Sequence, residues 1–249
     1  MSHTYRFDSI GDSRSSHERE ALQMMGSAFE QSPFSTLEKL MNPALYMPRQ
    51  TFTNLLVKYE IFKRILTVHG SIVECGVGFG GGLMTWAQLS AILEPHNHTR
   101  RVIGFDTFAG FPSVSEHDRG SYVGELAIDS QAEIEKCVIV YDQNRSVGHI
   151  PKVELVRGDI TETVPQYIEK NPHLVVSLLY LDCDIYTPTY AALKAFTKRL
   201  PKGAIIAFDE LNLKAWPGET QALIDLLGGL VETRLERCAF GSTISWAVL

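Results

Sequence analysis

Three observations on this chain predict an α/β fold, a mostly parallel sheet with helices on both faces and an antiparallel edge at its C-terminal end. Short apolar runs rich in Val and Ile alternate with helical stretches from Ser71 onward. One of these runs opens into a glycine-rich turn, and two others close on clusters of acids. The last two runs follow each other with no helix between them. Alternating strand–helix units build parallel sheets with crossover helices, and a closing pair in direct succession runs antiparallel. Runs this apolar are strands buried on both faces.

Residues 1 to about 35 are polar and mixed, with S-R-S-S-H-E-R-E among them, and residues 1–49 read as an N-terminal arm or short helical extension. Over residues 50–68, spacing of three and four puts Phe52, Leu55, Leu56, Tyr59, Phe62 and Leu66 on one helical face. That face is expected to pack on the domain, residues 50–249. S-I-V-E-C is the first strand, followed by the helix G-L-M-T-W-A-Q-L-S-A-I-L. R-V-I-G-F-D is the second strand and V-E-L-V-R the third, with T-V-P-Q-Y-I-E-K as the helix after it. L-V-V-S-L-L-Y-L and A-I-I-A-F are strands four and five, each followed by a helix. The tail from Val231 reads as two strands joined at Gly241-Ser242, which makes seven in all. Between strands two and three, residues 107–152 hold a polar, glycine-bearing loop and a helix over 129–142, a candidate lid.

The 249 residues suit one α/β domain with an extension. A net charge of −6 argues against a nucleic-acid partner, which wants a basic face. No apolar run is long enough for a membrane span, and M-S-H-T-Y-R-F-D-S-I has no signal core. Cys75, Cys137, Cys183 and Cys238 show no C-x-x-C spacing and read as reduced core residues of a cytoplasmic protein.

Chemistry concentrates at strand ends. L-D-C-D-I-Y carries Asp182 and Asp184, and F-D-E carries Asp209 and Glu210. In an open parallel sheet the ligand crevice lies outside the carboxyl ends of the strands. Carboxylates gathered there repel unless a cation sits among them, and an all-oxygen set suits a hard divalent ion. Asp184 has a second reading, as N-cap of the helix near Pro188. Strand one runs into E-C-G-V-G-F-G-G-G, where Gly76, Gly78 and Gly81 fit the dinucleotide fingerprint. Asp106 ends strand two, where an acid accepts from ribose hydroxyls. NAD and S-adenosylmethionine both use this arrangement. Glu74, just before the glycines, favours the cationic sulfonium cofactor over a pyrophosphate. Tyr186 and Trp216 read as an acceptor wall or as core, His117 and His149 flank the lid, and His96 and His98 read as solvated turn residues.

These motifs resemble the macrocin-type, metal-dependent sugar O-methyltransferases. V-E-C-G-V-G-F-G-G at 73–81, G-F-D-T-F-A-G-F-P at 104–112, L-D-C-D-I-Y-T-P-T at 181–189, F-D-E at 208–210 and P-G at 217–218 carry the likeness, over roughly residues 70–225. It implies the class I methyltransferase (Rossmann-like) sheet, S-adenosylmethionine as cofactor, and Mg2+ held by Asp182, Asp209 and Glu210. It implies Asp184 as general base and cofactor contacts at Glu74, Gly76, Gly78, Gly81, Asp106, Thr107, Gly158, Asp159 and Asp182. The expected acceptor is a hydroxyl of a small sugar-containing natural product, and the expected assembly a homo-oligomer. Two positions depart from the family pattern. Glu210 stands where a second aspartate is usual, and Gly78-Phe79 where the family has a Trp-Arg pair. A nicotinamide-dependent oxidoreductase and a non-catalytic cofactor-binding protein are the competing readings.

Overall fold

The computed structural model describes residues 14–241 and 243–249. The expectations for the first ten residues, for the start of the arm and for Ser242 lie outside the described residues. The chain divides into two compact units at Leu56/Val57. In the first unit, helices α1 (Ser16–Gln31) and α2 (Thr36–Met41) each begin with a capping box, Ser15 with Glu18 and Ser35 with Glu38. In such a box, serine hydroxyl and glutamate carboxylate satisfy each other's orphan backbone donors. Neither helix buries a residue. Helix α3 (Arg49–Ile65) begins in this unit and ends in the second.

The second unit is built on a seven-stranded sheet. Its strands are β1 (Ser71–Cys75), β2 (Val102–Asp106), β3 (Val153–Arg157), β4 (Val176–Leu181), β5 (Ile205–Phe208), β6 (Glu236–Arg237) and β7 (Ser245–Val248), in the order β3-β2-β1-β4-β5-β7-β6. The first five are parallel, and β7 pairs antiparallel with both β5 and β6. The order reverses between β1 and β4, so the crevice of the sheet opens there. The remaining helices are α4 (Gly81–Leu93), α5 (Gln131–Gln143), α6 (Ile160–Lys170), α7 (Tyr186–Phe196) and α8 (Gly218–Leu227). The closing strand pair is shorter than the tail pattern suggests, with only two residues in β6.

Period-two alternation sends each strand's side chains to two separate cores. Ile72, Val102, Leu178, Tyr180, Ile205 and Trp246 pack with α3, α4 and α5. Val73, Phe105, Leu179, Leu181 and Phe208 pack with α6, α7 and α8. The face of α3 differs from the sequence expectation. Its buried residues are Val57, Lys58, Ile61, Phe62 and Ile65, whereas Phe52, Leu56, Tyr59 and Leu66 are exposed. The helix is apolar on more than one side, so helical spacing alone did not select the stripe that meets the sheet. The chosen stripe carries a lysine inward. Among the described residues, no helix is long and apolar enough to cross a membrane.

Candidate active site

The crevice begins where β1 ends. Gly76 has φ +89, and a Cβ there would lie 1.8 Å from the carbonyl oxygen of Asp182. Only glycine lets the ends of β1 and β4 approach so closely, and the Asp182 N–H donates to the Cys75 carbonyl at 2.8 Å. The turn then runs through Gly78 (φ +52) to Gly80, the left-handed N-cap of α4 (φ +84). The fingerprint pointed to Gly81, which is the first helical residue and has open space around its Cβ position. Gly80 is therefore the glycine the backbone requires, and sequence spacing missed it.

Asp106 closes this loop. Its Oδ2 accepts from the backbone N–H of Val77 at 2.7 Å and of Gly78 at 2.9 Å, and its Oδ1 from Phe108 N–H at 2.6 Å. The acid proposed for the ribose thus also fixes the shape of the glycine turn. Thr107 donates to the Gly110 carbonyl and accepts from Ala109 N–H, which starts the 107–126 loop with a tight turn. Gly158 has φ +136 and donates to the Asp106 carbonyl. Asp159 is the N-cap of α6 and accepts from Thr161 N–H at 2.8 Å.

Glu74 is paired with Tyr180 across the β1–β4 ladder, on the face of the sheet that packs with α3 and α4. It is 1% exposed, and its Oε2 accepts from the Trp86 indole at 2.6 Å. Burial pushes its carboxyl up to about 7, while Lys58, Trp86 and the Leu83 N–H pull it down. Among the described residues, no arginine forms an ion pair with it.

At the ends of β4 and β5, acids face acids. Asp184 sits in the left-handed region at φ +60, and its carboxyl is turned to that of Glu210. Burial and the neighbouring Asp209 push Glu210 up to about 7. Burial, then surrounding carboxylates, raises Asp182 and Asp184 well above the usual carboxylate range. Asp209 accepts from the buried Tyr180 hydroxyl. Among the described residues none of these acids forms a salt bridge.

Sequence reading missed two acids here. Glu219 on α8 is fully buried, and its two oxygens accept from Cys183 N–H at 3.1 Å and Glu210 N–H at 3.3 Å. One carboxyl therefore ties both acid loops together. Burial and the charges of Asp209 and Glu210 raise it to about 8. Asp118, 4% exposed, reaches out of the 107–126 loop and accepts from Tyr186 N–H at 2.7 Å. Asp118 thus caps α7 from a distant segment. The local N-cap, Ile185, makes no side-chain bond, and Asp184 bonds no helix N–H, which overturns its cap reading. Gly218 fills the space beside this cap, since a Cβ there would lie 2.4 Å from both Asp118 Oδ1 and the Tyr186 nitrogen.

Trp216 is 4% exposed and packs with Phe111 and Ile185, so it is core. Tyr186 stacks on Tyr190 and meets the His117 ring at 4.4 Å. His149, His96 and His98 are exposed. The acid cluster's donors are all oxygen, and Glu210 Oε2 is buried with no hydrogen-bond partner, which suits a hard cation. Among the described residues no three His, Cys, Asp or Glu side chains stand ready around one point. Asp184 and Glu210 turn to each other, and Asp209 turns to Tyr180.

Comparison with known proteins supplies the rest. The model of the macrocin-O-methyltransferase (TylF) family matches residues 56–225. A crystal structure of CalS11, a calicheamicin methyltransferase, superposes with a TM-score of 0.91 at 37% identity, covering 94% of this chain and 93% of that one. The apo structure of CalS11, described as a TDP-rhamnose 3′-O-methyltransferase of calicheamicin biosynthesis, gives a TM-score of 0.83 at 34% identity, covering 94% and 95%. The O-methyltransferase NovP shares the fold, with a TM-score of 0.59 at 16% identity over 93% of this chain and 98% of that one. No curated protein sequence matches.

Proposed function

We propose, from the premise that this chain belongs to the macrocin-O-methyltransferase family and is an S-adenosylmethionine-dependent O-methyltransferase, that its acceptor is a sugar hydroxyl and that Mg2+ assists the transfer. The class I methyltransferase fold and the family set the nicotinamide and non-catalytic readings aside. One observation carries the finer proposal. Asp182, Asp184, Asp209, Glu210 and Glu219 converge beside the glycine turn with no basic residue bonded to them. Such a cluster is costly unless a ligand needs it. The acceptor class follows from CalS11, which acts on TDP-rhamnose.

Asp182, Asp209 and Glu210 would hold the Mg2+. The bound ion supplies Lewis acidity that lowers the pKa of an acceptor hydroxyl. The glycine turn, shaped by Asp106, seats the cofactor. Glu219 holds both acid loops in register through Cys183 and Glu210. The cofactor, when bound, would supply the methyl group to the acceptor oxygen, its sulfur keeping the bonding pair, and Asp184 would take the hydroxyl proton. Asp184→Asn cannot take that proton, so kcat should fall by ~10²-fold with an unchanged melting temperature. Methyl transfer to a TDP-deoxysugar should require added Mg2+. Full turnover after exhaustive EDTA treatment would remove the metal from this proposal, and an active Asp184→Asn variant would remove the base.

The exposed apolar side chains of α1 and α2, Met24, Phe29, Leu37, Leu40 and Met41, support a homo-oligomer. Sedimentation at the monomer mass across the micromolar range would rule it out. Four free cysteines fit a reducing, cytoplasmic setting.

A further inference from the structure

Lys58 has no part in the glycine turn or the acid cluster, yet it is 7% exposed. A buried ammonium ordinarily holds a carboxylate or several carbonyls, because desolvation without a partner is costly. Among the described residues, the other buried cations obey that rule. Arg100 pairs with Glu94 and donates to the carbonyls of Ile65, Val68 and Gly70. Lys152 donates to the Asn97 carbonyl. Among the described residues, Lys58 has neither a hydrogen bond nor an ion pair. Its nitrogen rests 3.5 Å from the centroid of the Tyr180 ring and 4.9 Å from that of Trp86. The aromatic faces hold the charge in position and leave its donors open.

The position is informative. Trp86 bonds Glu74, and Tyr180 lies opposite Glu74 in the sheet and bonds Asp209. The ammonium therefore lies against the two rings that flank Glu74, near the joined ends of β1 and β4. The two rings that hold the ammonium also hold Glu74, Trp86 by a hydrogen bond and Tyr180 as its partner in the ladder. One open cation beside an acid is the complement of a zwitterion. The methionine end of the cofactor is such a group, with an α-ammonium and an α-carboxylate on one carbon. We propose that Lys58 binds the α-carboxylate of the cofactor's methionine, with Glu74 facing its ammonium. This rests on S-adenosylmethionine being the cofactor. It also supplies a cation where Phe79, 60% exposed in the glycine turn, brings none. The rival role for Lys58 is internal, a counter-charge for Glu74 that never meets ligand.

Calorimetric titration with three ligands separates the two roles. S-adenosylhomocysteine carries the carboxylate, its carboxamide lacks the charge, and 5′-methylthioadenosine lacks the amino-acid group entirely. Lys58→Met keeps chain length and apolar packing. It should bind S-adenosylhomocysteine at least ~10-fold more weakly than the native chain and 5′-methylthioadenosine equally well. Lys58→Arg should keep most of the affinity. Native protein should bind the carboxamide ~10-fold more weakly than S-adenosylhomocysteine, a result that stands even if the methionine variant does not fold. Equal losses for S-adenosylhomocysteine and 5′-methylthioadenosine in Lys58→Met, or equal native affinity for the acid and its amide, would overturn the assignment. Native protein that binds none of the three would overturn the cofactor reading itself.

Discussion

At the ends of β1 and β2 an acid faces backbone donors; at the ends of β4 and β5 acids face one another. Asp106 accepts from Val77, Gly78 and Phe108, so its charge is stabilised by the turn it shapes. At the neighbouring strand ends, burial and surrounding carboxylates raise Asp184 well above the usual carboxylate range, and Glu219 rises to about 8. The same strand-end position thus serves two physical purposes. The first region is complete as it stands and can seat a cofactor. The second stores electrostatic strain, which a bound cation would relieve. On the function proposed above, binding and activation would be divided between neighbouring strand ends.

The sharpest way to break this division is Asp209→Asn, which keeps shape and removes charge. Turnover should fall by ~10³-fold while the affinity for S-adenosylhomocysteine stays within ~3-fold, as steady-state kinetics and calorimetry would show. A parallel loss of cofactor affinity would mean that the two regions work as one. The converse change, Asp106→Ala, leaves three N–H groups unmet. It should lower stability by about 3 kcal/mol in denaturant titration and weaken the cofactor, with kcat at saturation reduced only a few-fold. A kcat defect larger than the binding defect would contradict the assignment.

The smallest effect concerns pH. Glu74 and Glu210 at about 7, and Glu219 at about 8, lie above their values in the unfolded chain. The folded state then binds more protons than the unfolded state between the two sets of values. Stability from these groups is present at low pH and is lost as pH rises through about 7 to 8. The metal-free chain should therefore melt several degrees lower near about pH 8.5 than near about pH 6, and added Mg2+ should narrow the gap. A melting temperature that rises over that range would show that the acid cluster is already neutralised.

Much of this architecture was readable in the sequence. L-V-V-S-L-L-Y-L and A-I-I-A-F are apolar at successive positions because both faces of β4 and β5 are covered, and this pattern marks strands plainly. The acids that follow them were visible because several sit together. Single charged residues were not. Lys58 sits in K-Y-E, which reads as a solvated helix face; Asp118 sits in a polar loop; Glu219 sits in the first turn of a helix, where glutamate is common. Their burial depends on segments far away in the chain. The choice between Gly80 and Gly81 likewise turned on a backbone angle, since both fit a glycine-rich pattern.

The cap that Asp118 places on α7 bears on protein engineering. Loop exchange between relatives is the natural route to a new acceptor, and residues 107–126 look like a module ready to be moved. They are not one. The aspartate in that loop is matched to a helix start at Tyr186 and to a glycine at 218, where a Cβ would strike both partners. A transplanted loop without an acid at that position would leave the helix after L-D-C-D uncapped. A recipient with any larger residue at 218 would push the incoming loop away. The transferable unit is discontinuous, three short pieces of chain that have to travel together.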